Sequence, residues 1–84
     1  MVEMTARDYA ILRAVAVGRG QLVCGCEPDL LIDGCWCADQ CAAHRLAREG
    51  LIAGHIPGTT GMRVLAILTD AGRRALAEVG VGAA

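Results

Sequence analysis

Residues 44–76, HRLAREGLIAGHIPGTTGMRVLAILTDAGRRAL, constrain the fold more than any other stretch of this 84-residue chain. Signals for ending one helix, turning a hairpin and opening another helix follow each other there with almost no slack. His44 to Glu49 is helical in character, and Gly50 is the residue type that ends a helix in the left-handed conformation. Leu51-Ile52 starts an extended run, Pro57-Gly58 and Gly61 bracket a turn, and Met62 to Leu68 supplies a second apolar run. Thr69-Asp70 then caps a helix that carries Ala71, Ala75, Leu76 and Val79 on one side. The expected order is helix, β-hairpin, helix.

Upstream, Thr5 is placed to cap a helix, with Asp8 reaching back three residues later and Met4 stapling against Tyr9. Helical periodicity runs through Tyr9, Ile11, Leu12, Ala14, Val15 and Ala16 to about Val17, and Gly18 and Gly20 end it. Gln21 to Cys24 is a short β-prone run. Between Glu27 and Gly34, Pro28 suits a first helical turn and Gly34 its end, so the spacing predicts a turn or two of helix. Ala38 to Glu49 is a further helix with Ala42, Ala43 and Leu46 on its apolar side and Asp39 near its positive end. Residues 1–84 read as one domain, with 80–84 a frayed tail.

A chain of this size sits at the lower end of self-sufficient cores, so dimerisation, a metal or a disulfide would be welcome support. Phe is absent and the only large aromatics are Tyr9 and Trp36, so packing must come from Leu, Ile, Val and Ala. That favours helices lying close together. No run approaches the roughly 18–20 apolar residues of a membrane span. The first twenty residues also lack a secretory layout. A cytoplasmic protein without a membrane partner is expected. All eight basic residues are Arg, while Lys, Asn, Ser and Phe are missing, a bias that a GC-rich genome explains.

The frame from Ala42 to Leu76 resembles the recognition helix, wing and following helix of winged helix-turn-helix regulators of the MarR and ArsR kind. Leu46, Gly50-Leu51-Ile52 and Leu68-Thr69-x-x-Gly72-x-x-x-Leu76 match that pattern position by position. The resemblance implies an α+β fold, a small winged helix-turn-helix domain. It would have a three-helix core, a β-hairpin wing, a strand at 21–24 pairing with the wing, and a C-terminal helix able to form a homodimer. The middle of the chain, CEPDLLIDGCWCADQCAAHRLAREGLI, resembles short uncharacterised proteins of actinobacteria and their phages, which implies no activity. The chain departs from the regulators in its acidic, Cys-rich stretch, where their second helix belongs.

On the helix, Cys37, Cys41, His44 and Arg48 follow i, i+4, i+7, i+11 and fall on one face, flanked by Gln40 and Arg45. The resemblance implies double-stranded DNA as the partner. Gln40, His44, Arg45 and Arg48 would then face the major groove, and Arg63 and His55 on the wing would touch phosphate or the minor groove. The plainer reading is the solvated face of an amphipathic helix. Charge is unevenly spread: Gly20 to Ala43 holds four acids and no base, −4, against eight arginines and five acids elsewhere, +3. Beside a groove the acidic stretch would repel phosphate.

Five thiols within 18 residues leave three readings open. Cys24, Cys26, Cys37 and Cys41 are candidate zinc ligands, with Cys35 or His44 able to replace one. A disulfide from Cys26 to Cys37 would instead close the intervening loop. Reduced, packed cysteines are the third. Glu27, Asp29 and Asp33 lack the spacing of a calcium loop and read as surface acids at a turn. Trp36 reads first as a lid on the core and second as an exposed anchor for a partner. With no Ser nucleophile, no phosphate-binding loop and only a Cys41/His44 pair on one helix face, an enzyme is not expected. Two functions remain. One is a DNA-binding, transcription-regulator-like protein. The other is a winged helix adapted to a host protein, as a phage-type effector or adaptor, through Glu27, Asp29, Asp33 and Trp36.

Overall fold

Thr5 opens the first helix as its sequence context predicts. In the computed structural model, which describes residues 4–83 and side chains as far as Glu78, the Thr5 hydroxyl accepts the Asp8 N–H at 3.2 Å. The Asp8 carboxylate accepts the Thr5 N–H at 2.9 Å, so two otherwise orphaned donors are satisfied. Helix α1 (Ala6–Ala16) buries Ile11, Leu12, Ala14 and Val15, and Gly18 follows it with φ 83°.

Strands β1 (Gly20–Val23), β2 (Asp29–Ile32) and β3 (Cys35–Trp36) come next, then α2 (Gln40–Arg48), β4 (Ile52–Gly54), β5 (Arg63–Leu68) and α3 (Asp70–Ala83). The five strands form one open sheet in the order β3-β2-β1-β5-β4, with every neighbouring pair antiparallel. The molecule is thus an α+β domain with three helices among its described residues. The helix expected between Glu27 and Gly34 is replaced by the β2–β3 hairpin. Asp33 (φ 54°) and Gly34 (φ 80°) form its two-residue turn, and Ile32 pairs with Cys35 across it. Two successive positive φ angles match the right-handed twist of paired strands, and Asp-Gly is a residue pair suited to them.

The register explains the core. Leu22 lies opposite Leu30 on one side and Val64 on the other. With Ala66, Leu68 and Ile52 these side chains meet Ile11, Leu12 and Val15 of α1, Ala42, Ala43 and Leu46 of α2, and Ala75 and Leu76 of α3. All three helices therefore cover the same face of the sheet. Among the described residues, no helix is long and apolar enough to cross a membrane.

The stretch 44–76 folds largely as its signals indicate. Gly50 has φ 74°, the Leu51 N–H donates to the Leu46 carbonyl, and the Gly50 N–H donates to that of Ala47. This closes the helix end in a Schellman arrangement. The Thr69 hydroxyl accepts the Gly72 N–H at 3.1 Å and donates to the Gly50 carbonyl at 2.5 Å, tying the start of α3 to the end of α2. Helix α3 runs on through Ala83. Ala84 and the side chain of Val79 lie outside the described residues.

Gly72 owes its identity to a close approach: a Cβ there would overlap the Leu51 carbonyl oxygen, a backbone atom that cannot swing aside. In an exposed helix, Gly→Ala is ordinarily favourable by up to about 1 kcal/mol. Here Gly72→Ala is predicted to cost about 1–3 kcal/mol through overpacking, read as a lower urea midpoint. An unchanged or raised midpoint would contradict the packing of α3 on Leu51.

Candidate functional site

Helix α2 is where the candidate residues concentrate, and its two sides differ sharply. Ala42, Ala43 and Leu46 are buried, while Gln40, His44, Arg45 and Arg48 occupy the polar side. Asp39 caps it by accepting the Ala42 N–H at 2.9 Å and also pairs with Arg7 at 3.3 Å. The cap hydrogen bond, followed by Arg7, holds the Asp39 pKa below the ordinary carboxylate value.

Gln40 does not point to solvent. Its Oε1 accepts the Leu30 N–H at 3.0 Å, and its Nε2 donates to the carbonyls of Leu30 at 2.8 Å and Cys37 at 3.0 Å. Just past β3 the Cys37 N–H also donates to the Leu30 carbonyl at 2.9 Å, so what the Gln40 amide adds is the acceptor for the Leu30 N–H. His44 Nε2 shares a 2.7 Å hydrogen bond with Asp29 Oδ1, and its Nδ1 lies 3.8 Å from Glu27 Oε2. Arg48 Nη1 is 3.6 Å from Glu27 Oε1.

Arg45 reaches across to α1, where its Nη2 donates to Asp8 Oδ1 at 2.5 Å. Asp8 is fully buried. Burial alone would push its carboxyl pKa up. The hydrogen bonds from Arg45 and from the Thr5 backbone outweigh burial and hold it below the ordinary value.

The proposed DNA-reading set is therefore not a common outward face. Gln40, His44 and Arg45 are engaged within the chain, and only Arg48 of the four is exposed. Arg63, at the start of β5, and His55, just after β4, are exposed. The acidic stretch is likewise matched from within. Arg19 pairs with Asp33 at 2.5 Å, Arg7 with Asp39, Arg48 with Glu27, and His44 with Asp29. Hydrogen bonding to Arg19 lowers the Asp33 pKa and raises that of Arg19. Glu27, Asp29 and Asp33 thus do not form an unpaired acidic face.

The cysteines are free thiols, with Cys26, Cys35 and Cys41 exposed and Cys24 and Cys37 half-buried. Among the described residues, no group of three or more His, Cys, Asp or Glu side chains is placed to hold a metal ion. The zinc set Cys24, Cys26, Cys37 and Cys41 is not assembled, and Cys26 is not bridged to Cys37. The reason lies in the strands. Cys24 extends β1 toward the β4–β5 hairpin, donating its N–H to the Met62 carbonyl at 2.8 Å and accepting the Gly61 N–H at 2.9 Å. Cys35 sits on the opposite edge strand, and Cys37 precedes α2, so the helical stripe from Cys37 onward is broken before it starts.

Trp36 is 61 % exposed on edge strand β3 and does not cover the core. Sequence reasoning also passed over Leu65 and Ile67, which are 40 % and 38 % exposed on β5. Their neighbours Val64, Ala66 and Leu68 point into the core. The signal was present: RVLAIL is apolar at every position after Arg63, a composition typical of strands covered on both faces. Here helices cover only one.

Asp8→Ala is predicted to cost about 3–5 kcal/mol, because it leaves the Arg45 guanidinium facing a buried site without its partner. The lowered Asp8 pKa also fixes the sign of the pH dependence. The contribution of Asp8 is complete above the unfolded carboxylate value of about 3.9 and is lost as pH falls through the lower folded value. Urea midpoints of wild type and Asp8→Asn should therefore converge in acid, and equal midpoints at neutral pH would contradict the pair's role. No family model, curated protein or solved structure matches the chain.

Proposed function

We propose that this domain is a protein-binding module in a winged-helix frame, and that it meets its partner with the sheet face its helices leave open. The observation that carries this reading is the exposure of Leu65 and Ile67 on that face. Pairing puts Trp36 on the same face: Leu65 lies opposite Gln21, Gln21 opposite Leu31, and Leu31 opposite Trp36, with polar Gln21 and buried Leu31 between the exposed ends. Paired residues share a face, so this row runs from β5 to the edge strand. Leu31 within it is only 1 % exposed, flanked by Gln21 and Trp36. Apolar side chains gathered on one open face are the mark of an interaction surface. The acids first assigned to partner binding serve inside the fold, and Trp36 remains as an anchor at the edge.

DNA binding is the second reading, and strand order favours it. The order β1-β5-β4, with α2 leading into the β4–β5 hairpin, is the arrangement the winged-helix resemblance implies. Exposed Arg63 and His55 then stand where a wing touches phosphate. Against it, affinity for DNA rests on phosphate neutralisation, and Arg45 and Arg48, the arginines of α2, already have carboxylate partners.

The two readings separate by substitution. Bound to a support and exposed to an actinobacterial extract, the wild-type domain should retain proteins that a Leu65→Glu/Ile67→Glu variant with unchanged circular dichroism does not. Arg48→Ala should leave that capture intact. Binding to a duplex at low salt that falls steeply with added salt, and that Arg48→Ala with Arg63→Ala abolishes, would overturn the protein-binding reading in favour of the regulator.

A further inference from the structure

Strand β3 is one of the two edges of the sheet, and it is the open one: Cys35 and Trp36 are both exposed, whereas Ile52 on the opposite edge strand is buried. Ladder alternation fixes where its main chain points. The Cys37 N–H donates to the Leu30 carbonyl, so Cys37 and, two residues back, Cys35 sit at hydrogen-bonded positions toward β2. Trp36 between them lies opposite Leu31 at a non-hydrogen-bonded position. Its N–H and carbonyl are therefore turned outward, and no group among the described residues bonds to them. Unpaired main-chain groups on an exposed sheet edge are a template for a further strand.

The residues on either side make this edge self-complementary. Cys35-Trp36-Cys37 reads the same in both directions. With a twofold axis at Trp36, an antiparallel second copy exchanges both main-chain hydrogen bonds with Trp36, and each Cys35 lies opposite Cys37 of the other copy. Cys35 and Cys37 share the helix side of the sheet, because their β2 neighbours Ile32 and Leu30 pack into the core, while Trp36 stands on the open side. In this pairing the facing cysteines take non-hydrogen-bonded positions, with Cα atoms about 4.5 Å apart, inside the roughly 4.4–6.8 Å that a disulfide spans. The flanking acids Asp33 and Asp39 are each held by an arginine of their own chain, so the copies do not meet with bare carboxylates.

We propose that a second copy of this chain adds at β3 and continues the sheet, and that a small oxidised disulfide locks the pair through Cys35 of each copy and Cys37 of the other. Each bridge forms in two exchanges. One thiolate attacks the small disulfide and releases a small thiol, and the facing thiolate then attacks the mixed disulfide and releases the second. Two protein thiols lose two protons and two electrons, which the small disulfide gains. The single chain leaves all of these thiols free. The proposal is independent of the protein-binding reading, whose residues Leu65 and Ile67 lie on β5, across the sheet from this edge.

The test is made in a Cys26→Ser/Cys41→Ser background, which removes the other exposed thiols. Within it, Cys35→Ser and Cys37→Ser are prepared separately and treated with oxidised glutathione. Neither variant alone should give a disulfide-linked dimer on non-reducing electrophoresis. Their mixture should, with peptide mapping joining Cys35 of one copy to Cys37 of the other, and dithiothreitol should reverse it. Adding Trp36→Pro to both should abolish the mixed dimer, since it removes the outward N–H and no bond to β2. Circular dichroism of each variant should match the wild type. A mixture that stays monomeric, or a dimer formed as readily by either variant alone, would overturn the proposal. So would a mixed dimer that Ile67→Asp abolishes and Trp36→Pro does not, which would put the contact on the open sheet face instead.

Discussion

The side-chain amide of Gln40 is the contact on which the arrangement of the molecule depends. Leu30 is fully buried; its carbonyl accepts the Cys37 N–H at 2.9 Å just past β3, while its N–H lies beyond that two-residue strand. Gln40 accepts that N–H and donates to the carbonyls of Leu30 and Cys37. A buried N–H left without a partner costs about 1–3 kcal/mol. The clamp therefore sets the first turn of α2 against β2. With α2 placed so, His44 one turn on meets Asp29, and Arg45 meets the buried Asp8 of α1. A single helix is tied to the hairpin before it and to the helix opening the chain.

This placement decides what the surface can offer. A recognition helix needs polar side chains free to leave the protein, and three of the four on α2 are held by partners within the chain. The acidic stretch that would deter phosphate is folded against the arginines and the histidine that would attract it. Apolar groups remain on the far side of the sheet, where Leu65 and Ile67 stand between strands that no helix covers. The same hairpin that takes the place of a helix also carries Trp36 out to the sheet edge.

Local chemistry was legible in the sequence and long-range pairing was not. The caps at Thr5, Gly50 and Thr69 are short-range devices whose residue types imply their geometry, and each forms as read. The hairpin at 29–36 escaped because Pro28 and Gly34 also suit a short helix, and because Leu30 and Leu31 are both buried, which erases strand alternation. Asp33-Gly34 was the discriminating signal, as a pair fitted to a two-residue turn. Periodicity placed Gln40, His44 and Arg45 on the polar side of a helix, yet it cannot say what stands opposite. Asp8 lies 37 residues from Arg45, and no local pattern links them. Cysteine spacing left three readings open for a related reason. Closeness in sequence does not carry over to the sheet, where Cys24 continues β1 and Cys35 lies on edge strand β3.

Hydrogen exchange at the Leu30 amide tests the clamp most directly. In the wild-type domain this N–H should exchange slowly, protected like that of Cys24 on β1's continuation, which is bonded to the Met62 carbonyl. Gln40→Ala should speed exchange at Leu30 selectively while Cys24 keeps its protection. A Leu30 amide that exchanges freely in the wild type, or that is indifferent to Gln40→Ala, would contradict the inward commitment of α2 and reopen its polar side as a free recognition surface.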